Sequence, residues 1–281
     1  MDAPYAKLEQ LEPGIGRLLA NNPSAFTYFG TQTYLVGGGE LAVIDPGPDL
    51  PEHLDALEQA IGGRAVVAIM CTHTHRDHSP AARPLAERTG APIMGCGPLA
   101  LETVGPRADA SFDGDYSPDR VLADGESIDI AGAALTAVAT PGHTSNHLCF
   151  AYGDALFTGD HVMGWSTTVV VPPDGDMAAY MASLDKLRQR DDRIYYPAHG
   201  PAVTNPQQYV RHLVGHRMQR EKQILDLVRA NPRPIPDIVA SAYPGLDPRL
   251  VTAAGGSVLA HLVDLERRGL VERQGDAWTT A

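Results

Sequence analysis

No uninterrupted apolar run in the sequence approaches the roughly 20 residues that a membrane-crossing helix needs. A membrane partner is therefore not expected. Cysteine is scarce, since Cys71, Cys96 and Cys149 are odd in number, widely spaced and free of any C-x-x-C pair. This excludes a disulfide framework and leaves buried thiols as the expectation. The opening residues Met1-Asp2-Ala3-Pro4-Tyr5-Ala6-Lys7 lack the basic start and apolar stretch of a signal peptide and the arginines of a transit peptide. A cytoplasmic location is the resulting expectation. Positive charge is also short. The chain carries a formal net charge of −12, and residues 1–205 hold 12 Lys+Arg against 26 Asp+Glu, whereas residues 206–281 hold 10 against 8. Bound divalent cations would offset part of the acidity of the larger segment, but its remaining field repels a polyanion. A general nucleic-acid role is disfavoured unless the C-terminal part supplies the contacts.

Histidine and aspartate, by contrast, are concentrated in one place. Thr72-His73-Thr74-His75-Arg76-Asp77-His78 packs four metal-capable side chains into six residues. The apolar, β-branched run 65–70 before it reads as a buried strand, which puts the ligands on a loop at that strand's end. His73 and His75 can face one way and Asp77 and His78 the other, an arrangement suited to two metals.

The rest of the chain alternates hairpins with helix and strand. Residues 14–30 read mainly as an irregular lead-in with a short strand over 15–20. Strands over 33–36 and 41–44 flank Gly37-Gly38-Gly39-Glu40 as a hairpin, ending in Asp45-Pro46-Gly47-Pro48. Asp45 is either a turn residue or a buried carboxylate orienting a ligand histidine. Apolar spacing predicts a helix over 50–61, and further helices over 79–87 and 178–190 with a helical turn over 97–103. Strands are expected over 92–94, 128–130, 134–139, 148–152, 155–158 and 193–196. The candidate ligands His73, His75, Asp77, His78, His143, Asp160 and His199 all follow predicted strands, so they could converge on one rim of a sheet sandwich. Imidazole and carboxylate without thiolate suit zinc at an open catalytic site, and Mn2+ or Fe2+ would also accept them.

The order of motifs, H-x-H-x-D-H, then Pro141-Gly142-His143-Thr144, then Thr158-Gly159-Asp160, then Pro197-Ala198-His199-Gly200, resembles the metallo-β-lactamase superfamily. The resemblance implies an α/β (α+β) chain folded as an αββα sandwich with two Zn2+. One metal would be held by His73, His75 and His143, the other by Asp77, His78 and His199, with Asp160 bridging both. Asp45 matches the superfamily's buried supporting aspartate. The implied chemistry is hydrolysis of an ester-type bond by a hydroxide shared between the metals, with Asp77 able to accept a proton as well as to ligate. His147 and His161 are expected to be structural or supporting, and Trp165, Ser166, Thr167 and Thr168 are candidates to line the cleft.

Departures from subfamily patterns narrow the field. β-Lactamases of the superfamily replace the bridging aspartate with Cys or Ser, and flavodiiron proteins carry Glu where this chain has His75. Only 38 residues separate Asp160 from His199 and only 16 separate His143 from Asp160, too few for the inserted cap or RNA-clamping arm of two nuclease groups. Helices over 206–230, 236–243 and 248–268, the last expected to break at Gly255-Gly256, precede a hairpin around Gln274-Gly275-Asp276. This tail looks like a winged helix, giving an expected division into a catalytic domain, 1–205, and a winged-helix-like domain, 206–281. Together with residues 18–27 and the Thr-His-Arg-Asp-His-Ser loop, it resembles the β-lactamase-like protein 2 family, whose eukaryotic member is a single-strand-specific endoribonuclease. A winged helix does not by itself establish nucleic-acid binding. Arg249, Arg267, Arg268 and Arg273 make a thin phosphate footprint, so packing, a homo-dimer contact or lid duty is preferred; Arg211, Arg217, Arg220 and Lys222 are the candidate phosphate contacts otherwise. The expected substrates are a small thioester, lactone or phosphodiester, with single-stranded RNA as the alternative. A nucleic-acid-binding regulator with a metal scaffold is a third reading.

Overall fold

The computed structural model describes residues 4–99 and 112–281. Of the helical turn expected over 97–103, residues 97–99 form no helix and the remainder lies outside the described residues. Strands β1 (Glu9–Glu12), β2 (Ile15–Leu19), β3 (Gln32–Gly37) and β4 (Glu40–Ile44) pair antiparallel in sequence order, β1 being an addition to the expected strands. Helix α1 (Pro51–Ile61) then crosses over to β5 (Ala65–Cys71), parallel to β4, and α2 (Ala82–Thr89) leads to β6 (Ile93–Gly95) and the short β7 (Arg120–Val121). Proline in the first turn of α1 is compatible with its missing amide, because that N–H has no partner within the helix.

The second sheet contains β8 (Ser127–Ile130), β9 (Ala133–Ala139), β10 (Leu148–Tyr152) and β11 (Ala155–Gly159), followed after α3 (Met177–Arg188) by β12 (Ile194–Pro197), parallel to β11. Its central strands bury both faces, which explains their unbroken apolar runs. Leu148, Phe150, Ala155 and Phe157 face the first sheet together with Leu35, Val43 and Ile69. The alternate residues Cys149 and Leu156 pack against Tyr180, Leu184 and Leu187 of α3. Two sheets between helices result, and every ligand candidate follows a strand at the same rim.

Helix α4 (Pro206–Ala230) leads into the C-terminal unit of β13 (Arg233–Pro234), α5 (Ile235–Ala242), a 3-10 turn over Pro248–Leu250, α6 (Val251–Arg267), β14 (Val271–Gln274) and β15 (Ala277–Thr280). Val210 and Leu213 near the start of α4 join the core beside α3, whereas Ile224 and Val228 near its end join Ile238, Val258, Leu262, Leu265 and Trp278. The helix therefore belongs physically to both sides of the 205/206 division. The expected break at Gly255-Gly256 is absent, as α6 is continuous through both glycines. Tertiary contact supplies the reason: a Cβ on Gly256 would lie 2.7 Å from Val171 Cγ2, so the glycine admits the loop around Val171 against the helix. Among the described residues no helix is long and apolar enough to cross a membrane.

Candidate metal centre

Asp45, immediately after β4, occupies the left-handed region at φ +48° and is buried. Its Oδ1 accepts from the Thr72 amide at 2.8 Å, and its Oδ2 accepts from Thr72 Oγ1 at 2.8 Å and from His78 Nδ1 at 3.0 Å. A single carboxylate thereby ties both ends of the ligand loop to the end of the neighbouring strand. The loop after β11 is fixed by Gly159, at φ +48°, where a Cβ would lie 2.7 Å from Thr72 Oγ1 and 2.8 Å from His147 Nε2. No larger residue could bring Asp160 this close to the loop carrying the histidines.

Two groups of donors meet at this rim. His73, His75, His143 and Asp160 form one, and Asp77, His78 and His199 form the other, with one donor atom of each residue within 4.8 Å of the others in its group. Their tautomers follow from their outer partners. Since the Thr72 hydroxyl donates to Asp45, it accepts from His73 Nδ1 at 3.0 Å. His143 Nδ1 donates to the Val169 carbonyl at 2.6 Å, and His199 Nδ1 to the Gly30 carbonyl at 3.2 Å. In each of these rings, and in His78, Nδ1 is engaged outward and Nε2 points into the site, the arrangement that orients metal-binding imidazoles. His75 Nδ1 lies 2.9 Å from His73 Nε2 and 3.1 Å from His143 Nε2, so three ring nitrogens converge on one point. Asp160 straddles the groups. Its Oδ1 is 3.2 Å from His199 Nε2, and its Oδ2 is 3.7 Å from both His78 Nε2 and His143 Nε2.

Charge differs between the two groups. Burial, reinforced by His78, His75 and His143, holds His73 well below the usual imidazole range, and burial with His143 pushes His75 down to about 3. Those rings are neutral and present lone pairs. Burial opposes charge at His78 as well, but Asp77, Asp160 and Asp45 outweigh it and hold this ring well above its ordinary value. At His199 burial is likewise outweighed, here by Asp160 and Asp77, and the ring is pushed up to about 10. Asp77 and Asp160 are held well below the carboxylate range because their histidines overcome the opposing effect of burial. His78 Nε2 and Asp160 Oδ1 nonetheless remain buried without a well-formed hydrogen bond. Convergent lone pairs, paired carboxylates and such orphaned atoms fit a dinuclear divalent-metal site.

His147 stands behind the site. Its Nε2 accepts from the Asp160 amide at 3.2 Å and its Nδ1 lies 2.9 Å from Thr140 Oγ1, so both nitrogens are occupied and neither is free for a metal. His161 is also outside both groups, pressed against the Tyr180 ring at 4.8 Å. Of the residues expected in the cleft, Trp165 stacks on Tyr28 at 5.0 Å, and Thr168 is buried with its hydroxyl donating to the Asp160 carbonyl at 2.7 Å. A cavity of about 510 Å³ opens onto His75, Asp77, His143, Asp160 and His199. Its walls are instead Phe26, Thr27, Met163, Val169, Val171 and Asp174, completed by Arg249, Thr252 and Ala253 from the C-terminal unit. Nothing in the sequence marks these residues as neighbours, because they meet only through the packing of distant segments. Thr31, whose hydroxyl donates to Asp77 Oδ2 at 2.9 Å, is similarly invisible to motif reading.

Of the candidate phosphate contacts Arg211 is exposed, and the other three are differently employed. Arg217 is buried against the Thr168 carbonyl, the Arg220 guanidinium lies over the Tyr243 ring at 3.9 Å, and Lys222 pairs with Asp226 at 2.5 Å. Arg267 pairs with Asp176, and Arg268 with Glu221 at 2.6 Å and Asp264 at 3.2 Å.

Residues 27–199 match the metallo-beta-lactamase superfamily, and residues 235–278 match the beta-lactamase associated winged helix domain. An "Atrochrysone carboxyl ACP thioesterase" of Aspergillus chevalieri is 33% identical over 80% of this chain and 69% of its own length. A "Beta-lactamase-like protein 2 homolog" of Caenorhabditis elegans is 30% identical over 79% and 73% respectively. With other relatives the match spans as little as 65% of their length. The crystal structure of a metallo-beta-lactamase family protein from Thermus thermophilus superposes with a TM-score of 0.79 at 23% identity, covering 97% of this chain and all of that one. Motif order, sheet sandwich, paired His/Asp groups and winged helix thus agree, and the chain belongs to the metallo-beta-lactamase superfamily of metal-dependent hydrolases.

Proposed function

We propose that the protein is a zinc-dependent thioesterase, in which water cleaves an acyl thioester to a carboxylate and a thiol. The observation that carries this reading is the composition of the cavity. Polar metal-binding side chains form its floor, while Phe26, Met163, Val169, Val171 and Ala253 give it apolar walls. An acyl thioester has the same division, with a reactive carbonyl at one end of an apolar body. Relatives named as acyl carrier protein thioesterases support the assignment. Zinc is favoured by the imidazole-rich first group, although Mn2+ or Fe2+ would accept the same donors. Two such cations, when bound, would lower the pKa of a shared water and neutralise charge developing on the thioester oxygen. The chain's own part is to hold Asp77 and Asp160 inward as ligands, with Thr31 fixing the first and His147 the second. A reducing compartment such as the cytoplasm is part of the reading, in keeping with the buried free thiols of Cys71, Cys96 and Cys149.

Single-stranded RNA is the second substrate to test, given the likeness to a beta-lactamase-like protein 2 homolog. It is less favoured because the winged-helix cations are largely engaged, Arg249 at the cavity rim being forked onto Asp247 at 2.7 and 3.1 Å. The experiment is to assay zinc-loaded protein and Asp160→Ala against acyl thioesters of graded length, a lactone, a phosphodiester and single-stranded RNA. Thioester turnover that falls by more than about 100-fold in the variant is expected. RNA cleavage without thioester turnover would transfer the assignment to a nuclease, and RNA binding without any turnover would favour a regulator.

A further inference from the structure

Arg217 lies on α4 and is 3% exposed. Its Nη2 donates to the Thr168 carbonyl oxygen, its guanidinium sits 5.1 Å above the Tyr180 ring, and its Nε has no partner. Among the described residues no carboxylate pairs with it. An unpaired buried charge is expensive to desolvate, so the contacts it does make identify its role. Those contacts lead directly to the metal-binding groups. The hydroxyl of Thr168 is shared between the Asp160 carbonyl at 2.7 Å and the His161 carbonyl at 3.0 Å. The next residue, Val169, supplies the carbonyl that receives His143 Nδ1. Tyr180, beneath the guanidinium, donates from its hydroxyl to the His161 carbonyl at 3.2 Å. One short segment therefore bonds the backbone of the aspartate shared by both groups and the ring of one histidine of the first.

We propose that Arg217 is a positioning residue of the metal centre, clamping residues 168–169 from the helix that carries the winged helix and thereby orienting Asp160 and His143. The role is independent of which ester is cleaved. It also gives the C-terminal unit a function in the centre itself, since the helix that ends in that unit holds the segment that bonds both Asp160 and His143.

The test compares wild type with Arg217→Met, which keeps length and loses the donors, Arg217→Lys, which keeps one charged donor group, and Thr168→Val, which removes the hydroxyl link. Zinc affinity is read by competition with a chromophoric chelator, and ligand geometry by the visible absorption of the cobalt-substituted protein. Arg217→Met is expected to bind zinc about 10–100-fold more weakly and to alter the cobalt spectrum, with kcat falling more than KM rises. Arg217→Lys should recover part of each loss. Leu265→Ala, buried in the winged-helix core away from Thr168, should lower thermal stability while leaving zinc affinity and the cobalt spectrum unchanged. Wild-type zinc affinity and cobalt spectrum in Arg217→Met overturn the proposal whatever its melting temperature, as does an equal affinity loss in Leu265→Ala. Should Arg217→Met fail to fold, Thr168→Val decides, because wild-type affinity there shows that the link carries no orientation to Asp160.

Discussion

At φ +48° Asp45 holds a left-handed backbone conformation that glycine, asparagine and aspartate accept more readily than other residues. It is held there as its carboxylate receives the Thr72 amide, the Thr72 hydroxyl and His78 Nδ1 together. Asn tolerates the same backbone, so Asp45→Asn isolates the charge from the geometry. The variant is expected to fold and to bind zinc roughly 10–100-fold more weakly, measured by chelator competition, because His78 loses its charged acceptor. Unchanged affinity would reduce Asp45 to a loop anchor. At this scale the sequence is most informative. H-x-H-x-D-H, His143, Asp160 and His199 were legible because their chemistry is uncommon and their order is specific. Thr31 and Thr168 were not, since a hydroxyl bonded to a carboxylate or carbonyl looks like any other threonine until the fold brings the partners together.

For α6, the adjacent glycines suggested a break because each costs a helix interior stability relative to alanine. The helix continues because the two positions face different surroundings. A Cβ on Gly255 would make an ordinary 3.6 Å contact with Ile235, whereas one on Gly256 meets Val171 at 2.7 Å. Gly255→Ala should therefore raise stability by about 0.5–1 kcal/mol in denaturant melts. Gly256→Ala should gain nothing and should lower turnover by displacing the wall of the cavity; equal stabilisation by both would refute the close-approach argument. Most other elements were readable from periodicity, including the buried strands β10 and β11 with apolar residues on both faces. The cations of the C-terminal unit illustrate the limit of such reading. Their number was countable, but whether each faced solvent, a carboxylate or a buried carbonyl depended on tertiary neighbours.

Across the whole molecule, acidity and metal binding are linked through protons. With His199 pushed up to about 10 from 6.5 and His78 also raised, the folded metal-free chain holds protons that the unfolded chain releases at lower pH. This stabilisation is complete below about pH 6.5 and is lost as pH rises through about 10. Depressed Asp77 and Asp160 act in the opposite direction, their contribution being present above the ordinary carboxylate value of 3.8 and lost on acidification through their lowered values. Chelated protein should therefore show a falling thermal midpoint from about pH 6.5 towards pH 10, while zinc-loaded protein should show little change because the cations replace those protons. A flat profile for the chelated protein would contradict this account. Zinc loading at neutral pH should also release protons, detectable in a weakly buffered dye assay.

The sequence by itself determined the superfamily, the strand-end placement of the ligands and the presence of a winged-helix tail, because each is written in local patterns of residue type and spacing. Tertiary structure alone decided where that tail goes. Only in the fold do Arg249, Thr252 and Ala253 wall the cavity, does Gly256 admit Val171, and does Arg217 reach residues 168–169, which bond both His143 and Asp160. The physical reason is that burial and partner choice depend on which distant surfaces are packed together, and neither composition nor periodicity along the chain encodes that pairing. The seven side chains around Thr72 and its neighbours were visible as chemistry; their support and their cleft exist only as contacts.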